Sequence, residues 1–527
     1  MAPDVYWLDS SELAAAAWQL GVAHPPGHPL PSLLGRACAL VPLGSIALRV
    51  GLASALAGAA AAAQTARLGA LVARRARRPA QSDARIDGLV GAAAGLAFAL
   101  SYAAAFQAVR PEVYALSALL VVTAAYELAR YDETGDRRRV YTAALASGLA
   151  LSNHHLLALT FVVPAALLFA TGVGARTSLR ALAVAALGLG MWCYLPLRAA
   201  RHPLVNWGAP TTFARIFWTV SARAFQKAVA RGQTSDIAGV AGALAAELWL
   251  VGALAALAGA YVLARLGRVR LALLLLGAAL ADAATPALVG FDPANPDAYG
   301  YLEAAVALLA ALACAFPAVI AATVQRPRVA RVSCAALVVT VVIGGASGFT
   351  RWSRARFWDT GATLGHFVDA APPRALVVTS DFQTIFGLWY LAAVEGRRPD
   401  VDIVHRHFLA YPGYRDEIVH AHPELAPLLG AHDVIVPQLV SREPRVVQYD
   451  LDLDRSLAAS AVIVPMMTSL DEPQTLRFAA WQAFLAAHQA CTTGVARQAA
   501  LTRARALLSL PTLNCDRIAD PSTLGSP

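Results

Sequence analysis

Long apolar runs separated by short arginine clusters repeat along the first 349 residues of this chain, and no soluble core could hold them all. A helix needs about 20 largely apolar residues to cross the hydrocarbon of a bilayer. Runs of that kind lie at 47–73, 87–106, 113–131, 178–197, 239–265, 269–289, 301–324 and 330–348, with two shorter ones, 140–153 and 155–171, meeting at SNHH. The segment 29–43 is apolar but interrupted by proline and reads as re-entrant. Only 15% of the chain is charged, where soluble domains carry about 25%. The expected fold is therefore an α-helical polytopic membrane protein of about ten spans.

Threading those runs alternately sorts the loops. The arginine clusters at 73–78, 137–139, 176–180, 265–270 and 326–331 fall on one side, and the polar loops 9–29, 110–114, 152–155, 194–210 and 290–301 fall on the other. Lys/Arg-rich loops stay cytoplasmic, so the polar loops and everything beyond about residue 350 are expected outside. The net charge of +9 sits in these clusters. It is an orientation signal, not the continuous basic face of a nucleic-acid binder, and no nucleic-acid partner is expected. The Arg/Ala-rich composition and the lack of a sorting signal favour a bacterial inner membrane.

Two domains follow from this reading: 1–349 as the transmembrane domain and 350–527 as a soluble extracytoplasmic domain of α/β plus helical type. In the latter, residues 375–380, 383–395 and 401–408 read as strand, helix and strand. Asp381, at the end of the first strand, stands where open α/β folds place ligands, but a helix N-cap is the favoured reading. Residues 474–509 show two helical patterns, and Cys491 and Cys515 can pair if the tail meets an oxidising compartment. Residues 211–236 mix Phe213, Phe217, Trp218 and Phe225 with Arg215, Arg223 and Lys227, as an interfacial or a connecting helix would. Asp282 falls inside an apolar run and reads as a pairing or packing residue.

The chemistry concentrates in DSSELAAAAWQLGVAHPPGHP, residues 9–29. Asp9 and Glu12 are three apart, so both can face one ligand from a helix. His24 and His28 follow in a turn stiffened by Pro25, Pro26 and Pro29. The plain alternative is a capped helix start and a proline-rich connector. A membrane enzyme with a lipid-phosphate donor needs a carboxylate to accept a hydroxyl proton, cations for the departing phosphate, and aromatics for a sugar or isoprenoid. Asp9 and Glu12 are the catalytic candidates. His24, His28, Arg110, Glu112, Asn153, His154, Arg198, Trp207, Asp297 and Tyr299 are the substrate-binding candidates. His154 and His155 are adjacent and diverge on a helix, no HExxH occurs, and no cluster has zinc-ligand spacing. No metal site or cofactor is expected, though a divalent ion stays open.

At these residues the chain resembles a known family. DSSELAAAAWQLGVAHPPGHPL, RPEVYAL (110–116), SNHHLLAL (152–159), YLPLRA with NWGAP (194–199, 206–210), more weakly NPDAYGYL (295–302), and ALVVTSDFQTIFGLWYLAAVEGRRPDV (375–401) are similar to the ordered motifs of the HPPG-motif membrane proteins. That family was long of unknown function, and its vertebrate member is an endoplasmic-reticulum protein O-mannosyltransferase. The resemblance implies a GT-C glycosyltransferase. Such an enzyme takes a sugar from a polyprenyl-phosphate donor on the extracytoplasmic face, usually with inversion, with an essential acid in its first outer loop. By position that acid is Asp9, with Glu12 second; Arg198 is chosen for the donor phosphate on chemical grounds. Mannose is the favoured sugar, and the acceptor is a protein, lipid or glycan. Family members carry Gly where this chain has Ser11, and a transmembrane helix just ahead of the acidic motif. Here Asp9 follows Met1 by eight residues; a start assigned downstream of the natural one is the expected reason, and loss of the first span is the alternative. A transporter of lipid-linked sugars and a membrane-anchored binding protein are the alternatives from other classes.

Overall fold

The structure is a computed structural model and describes residues 1–78, 81, 83–226, 234–324, 326–427, 429, 446–448 and 473–519. Two short helices, α1 (Ser10–Gln19) and α2 (Pro29–Ala39), precede the bundle. The first long helix, α3 (Ile46–Arg75), starts where Ser45 accepts the Leu48 N–H. Next come α4 (Ala84–Leu100) and α5 (Tyr102–Ala108), bent by 63° at Ser101. They lead to α6 (Tyr114–Thr134), α7 (Arg137–Val173), α8 (Ala175–Leu189), α9 (Tyr194–Ala199) and α10 (Phe213–Val220). A second bent pair, α11 (Thr234–Glu247) and α12 (Val251–Arg265), turns by 95°. The bundle closes with α13 (Val269–Val289), α14 (Pro296–Gly300), α15 (Glu303–Ala313), α16 (Ala315–Thr323) and α17 (Pro327–Ser347).

Alanine builds much of this interior. Ala61, Ala94, Ala118, Ala125, Ala256 and Ala278 are all buried, and small side chains let helix backbones approach where lipid supplies no hydrophobic drive between helices. Large apolar side chains face outward instead: Leu167, Leu179, Leu182 and Leu187 are exposed, as a lipid-facing surface requires. The arginine clusters gather at one end. Arg74 pairs with Glu133 at 2.9 Å, Arg75 and Arg270 with Asp132 at 2.9 and 3.6 Å, and Arg331 with Asp83 at 2.9 Å.

The SNHH stretch folds α7 back on itself. His154 leaves helical geometry at φ −151°, ψ 90°. Arg139 pairs with Glu127 at 2.9 Å, and the Tyr131 hydroxyl donates to the Gly172 carbonyl at 3.3 Å. Both ends of α7 thus meet the last turns of α6, although a straight helix from 139 to 172 would span about 50 Å. Among the described residues, six helices are long and apolar enough to cross a membrane, or up to eight if each bent pair is one span. The larger count expected from hydropathy adds α6 and takes the halves of α7 separately.

Beyond the bundle lie α18 (Phe349–Trp352) and α19 (Asp359–Ala370). The strand β1 (Leu376–Thr379), helix α20 (Phe382–Glu395) and strand β2 (Asp402–His405) form a parallel crossover. The strand β3 (Val446–Gln448) pairs on the other edge of β1, giving the order β2-β1-β3. Asp381 is the N-cap of α20, accepting the Thr384 N–H at 2.8 Å. Then come α21 (Tyr414–Ala421), α22 (Pro473–Thr493) and α23 (Arg497–Leu508), with Cys491 and Cys515 joined in a disulfide. In the stretch read as interfacial, α10 leaves Phe213 and Phe217 exposed; Lys227 lies outside the described residues.

One hydrophobic cluster joins Tyr6, Trp7, Leu13, Val22 and Trp207 to Leu376, Ile385, Trp389 and Phe408. The Trp7 indole N–H donates to Thr475 Oγ1 at 2.8 Å, and the Gln383 amide oxygen accepts the Leu8 N–H at 2.9 Å. Packing runs across the expected boundary at 349/350: the α/β unit sits on the segment that carries the HPPG motif.

Candidate active site

Asp9 occupies the N-cap position of α1 but makes no capping hydrogen bond. Its neighbours account for themselves elsewhere: Ser11 Oγ donates to the Tyr6 carbonyl at 2.8 Å, and Ser10 Oγ accepts from Arg110 at 2.8 Å. The plain reading of this stretch as a capped helix start therefore does not explain Asp9. Its side chain is 34% accessible, and its near partner among the described residues is His24 Nε2 at 3.7 Å. Burial pushes the carboxyl up, the His24 charge pulls it back, and Asp297 and Glu12 raise it, leaving it at about 6. The carboxylate is therefore partly accessible and yet perturbed by burial.

Glu12 has the opposite character. It is fully buried, and Oε1 accepts the His24 backbone N–H at 2.7 Å while Oε2 meets His24 Nδ1 at 2.8 Å. Both oxygens serve one residue, so Glu12 holds His24 and does not stand beside Asp9 as a second base.

The histidine protons follow from the partners. His28 Nδ1 lies 2.7 Å from the Asn153 carbonyl, which only accepts, so Nδ1 carries a hydrogen. His28 Nε2 then accepts from His24 Nε2 at 3.3 Å. His24 thus donates from both nitrogens, to His28 and to Glu12, which makes it an imidazolium. Burial alone would lower its pKa, but Glu12 and Asp9 outweigh burial and push it up to about 10. Burial and the adjacent His24 charge hold His28 well below its ordinary value, as the neutral partner.

Backbone geometry at two glycines permits this placement. Gly27 has φ +98°, and a Cβ there would meet the Leu195 side chain at 2.6 Å; His28 follows at φ +40°, also left-handed. A non-glycine residue there costs on the order of 1–3 kcal/mol, offset here by the His28–Asn153 bond. A Cβ on Gly21 would sit 2.4 Å from the Val205 carbonyl. Its absence lets Val22 N–H donate to Val205 at 2.9 Å and Trp207 N–H to Val22 at 3.1 Å, so NWGAP is clamped beside the HPPG turn.

The other expected residues divide in two. Trp207 is at the site: its ring lies 6.3 Å from that of His24. His154, at the break in α7, has its ring 5.9 Å from His28. Asn153 fixes His28 through its carbonyl and donates its amide to the Val113 carbonyl at 3.1 Å. Arg110, Glu112 and Asp297 form a latch behind the site. Arg110 is fully buried, with Ser10 at 2.8 Å, Glu112 at 2.6 Å, Gln107 at 2.7 Å and Asp297 as partners. Arg198 gives Nε to the Leu20 carbonyl at 2.7 Å and Nη2 to the Gln19 carbonyl at 3.1 Å, so it anchors the end of α1. Tyr299 packs on Tyr102 and Phe291 instead.

Sequence reasoning passed over Gln107, Ser10 and Tyr301. Gln107 sits three residues before Arg110, a helical spacing that marks a shared face. Tyr301, two residues beyond Tyr299, places its ring 5.7 Å from His154 and 5.4 Å from Tyr114. Among the described residues one His/Asp/Glu group has ligand atoms close enough for a metal ion, Asp402 with His422 and Glu424, and it lies in the α/β unit, not here.

Residues 9–176 match the family described as the Protein O-mannosyl-transferase TMEM260 N-terminal domain. A 45-residue stretch is 58% identical to Protein O-mannosyl-transferase TMEM260 of Mus musculus, covering 8% of this chain and 6% of the mouse protein. The crystal structure of ArnT from Cupriavidus metallidurans in the apo state superposes with a TM-score of 0.51 at 14% identity, over 82% of this chain and 85% of that one. The same protein bound to undecaprenyl phosphate gives 0.47 at 13% identity, over 81% and 91%. The chain is a multi-pass membrane protein with the fold of ArnT, and its residues 9–176, Asp9 and both histidines among them, match the TMEM260 N-terminal domain family.

Proposed function

We propose that this protein is a glycosyltransferase that moves a sugar, mannose in the favoured case, from a polyprenyl-phosphate donor to an acceptor hydroxyl on the extracytoplasmic face. A protein Ser or Thr is the preferred acceptor. The observation that carries the reading is the Asp9 carboxylate, uncapped, water-accessible and beside the His24 imidazolium at 3.7 Å. The activity in the mouse relative's name supports the donor sugar and the protein acceptor.

In this mechanism Asp9 accepts the proton of the acceptor hydroxyl as its oxygen attacks the anomeric carbon. The bond from that carbon to the phosphate oxygen breaks, and polyprenyl phosphate leaves with the electron pair. The His24 imidazolium faces the negative charge that develops and stabilises it through space, because both of its N–H groups are held by Glu12 and His28. Arg198 gives Nε and one Nη2 hydrogen to carbonyls of α1. Glu12 and His28 are positioning residues that hold His24 charged and oriented.

The test uses the full chain in nanodiscs with radiolabelled polyprenyl-phosphate mannose and, separately, the glucose form. Removing a general base typically costs 10²–10⁴-fold in rate. Asp9→Asn is therefore expected to lower kcat at least about 100-fold with the fold intact by thermal unfolding. Transport of the donor across a bilayer without cleavage, unaffected by Asp9→Asn, would move the reading to a transporter.

A further inference from the structure

The residue just before Asp9 has a left-handed backbone. Leu8 stands at φ +63°, a region that side chains without a short polar group rarely enter. Asp9 follows at φ −75°, ψ −8°. An N-cap residue ordinarily lies in the β region and turns its side chain onto the first N–H groups of its helix. Asp9 holds that position with helical backbone angles and makes no capping bond; its carboxylate lies 3.7 Å from His24 Nε2 instead. The aim of the proposed base thus depends on a turn at Leu8 that is strained and must be held by its surroundings.

The hold comes from the α/β unit. The Leu8 N–H donates to Gln383 Oε1 at 2.9 Å, and Gln383 Nε2 donates to Gln474 Oε1 at 2.9 Å. A backbone N–H can only donate, so the amide oxygen of Gln383 faces it, and Gln474 fixes the other end of the amide. One residue earlier, the Trp7 indole donates to Thr475 Oγ1 at 2.8 Å. Gln383 lies in the first turn of α20, just past the carboxyl end of β1. In the order β2-β1-β3 the chain leaves β1 for β2 on one side and returns to β3 on the other. The carboxyl end of β1 is therefore a switch point, where open α/β folds bind their ligands. Here Leu8, from the chain's own amino-terminal segment, meets the helix that starts there.

We propose that Gln383 is a positioning residue for Asp9, and that the α/β unit sets the aim of the base through this bond; the inference rests on the glycosyltransferase reading above. Gln383 touches no reacting atom. It acts by keeping the Leu8 turn closed.

The experiment uses the full chain in nanodiscs, with radiolabelled polyprenyl-phosphate mannose and a Thr-containing decapeptide as acceptor. Gln383→Met keeps the length of the side chain and removes the acceptor oxygen. A displacement of about 1 Å at a reacting group can cost about 100-fold, so kcat should fall about 10–100-fold. The donor KM should stay within about twofold of wild type, because the ground-state contacts are kept. Gln383→Glu retains an oxygen for the Leu8 N–H and should return kcat to within about fivefold of wild type. Because Gln383 acts through Asp9, Gln383→Met should cost less than about threefold in the Asp9→Asn background, where independent sites would multiply. Glycine enters positive φ freely, so Gln383→Met should also cost less beside Leu8→Gly; Leu8→Asn replaces it if that variant does not fold. Should Gln383→Met itself not fold, Gln474→Leu loosens the same amide and is read in the same way. Deuterium uptake over residues 5–10 reports the Leu8 N–H without turnover. It should rise in Gln383→Met and not in Gln383→Glu. Wild-type kcat in Gln383→Met, a full multiplication with Asp9→Asn, or unchanged deuterium uptake would each overturn this inference alone. No transfer by the wild type from the mannose or the glucose donor would overturn the parent reading, and the role of Gln383 with it.

Discussion

Replacing Glu12 by Gln tests the site's electrostatics with little change of shape. Gln can still accept the His24 backbone N–H that Glu12 Oε1 now holds at 2.7 Å, but it removes the charge that faces Nδ1 at 2.8 Å. His24 is held at about 10, against about 6.5 for free histidine, a preference for the imidazolium on the order of 5 kcal/mol. Burial works against that charge; Glu12 does most to sustain it, with Asp9 next. The wild type should then show a bell-shaped pH profile. Its acid limb is Asp9, whose raised carboxyl must be deprotonated to act and loses activity as pH falls through about 6. Its basic limb is His24, which must be charged and loses activity as pH rises through about 10. In Glu12→Gln the basic limb should fall by at least about two pH units. The acid limb should fall slightly, because the Glu12 charge that raises Asp9 is gone while His24 is still charged at that pH. The bell narrows from its basic side, and kcat/KM at pH 8 drops at least about twofold. The assay is sugar transfer from pH 5 to 11, with thermal unfolding of each variant as the folding control. A Glu12→Gln profile as wide as the wild type, merely lower, would refute the assignment of charge to His24.

Arg110→Met should lower stability by about 3–5 kcal/mol, because Arg110 is fully buried and its loss strands Glu112 and Asp297; denaturation in mild detergent reads this, and a loss below about 1 kcal/mol would mean the latch is not structural. Gly21→Ala should cut transfer at least about tenfold, since its Cβ would stand 2.4 Å from the Val205 carbonyl and force apart the bridge that seats Trp207; overpacking of this kind typically costs about 1–3 kcal/mol, so wild-type activity and stability together would contradict the clamp. Replacing Cys491 and Cys515 by Ser should destabilise the tail by about 2–4 kcal/mol, given the 24-residue separation of the pair; limited proteolysis should then cut between α22 and α23 first, and an unchanged cleavage pattern would refute this.

Hydropathy and local spacing made the framework legible from the chain alone. An apolar run long enough to span a bilayer has few other fates, so the bundle, the gathering of the arginine clusters and the turn at SNHH could all be read from runs of neighbouring residues. Strand–helix–strand over 375–408 and the Asp381 cap are equally local, set by period and by one side chain reaching three residues ahead. The motif located the site but not the division of labour within it. Asp9 and Glu12 share a helical spacing, yet one stays partly accessible and the other is sealed against His24, a difference that burial by distant segments imposes. Arg110 and Asp297 are 187 positions apart, and Trp7 and Thr475 are 468 apart. Nothing in a sequence period records such a meeting. Whether an arginine faces a phosphate or anchors a helix end, and whether a histidine is charged or neutral, depends on which partners the fold brings within about 3 Å, because hydrogen bonding and desolvation act only at that range.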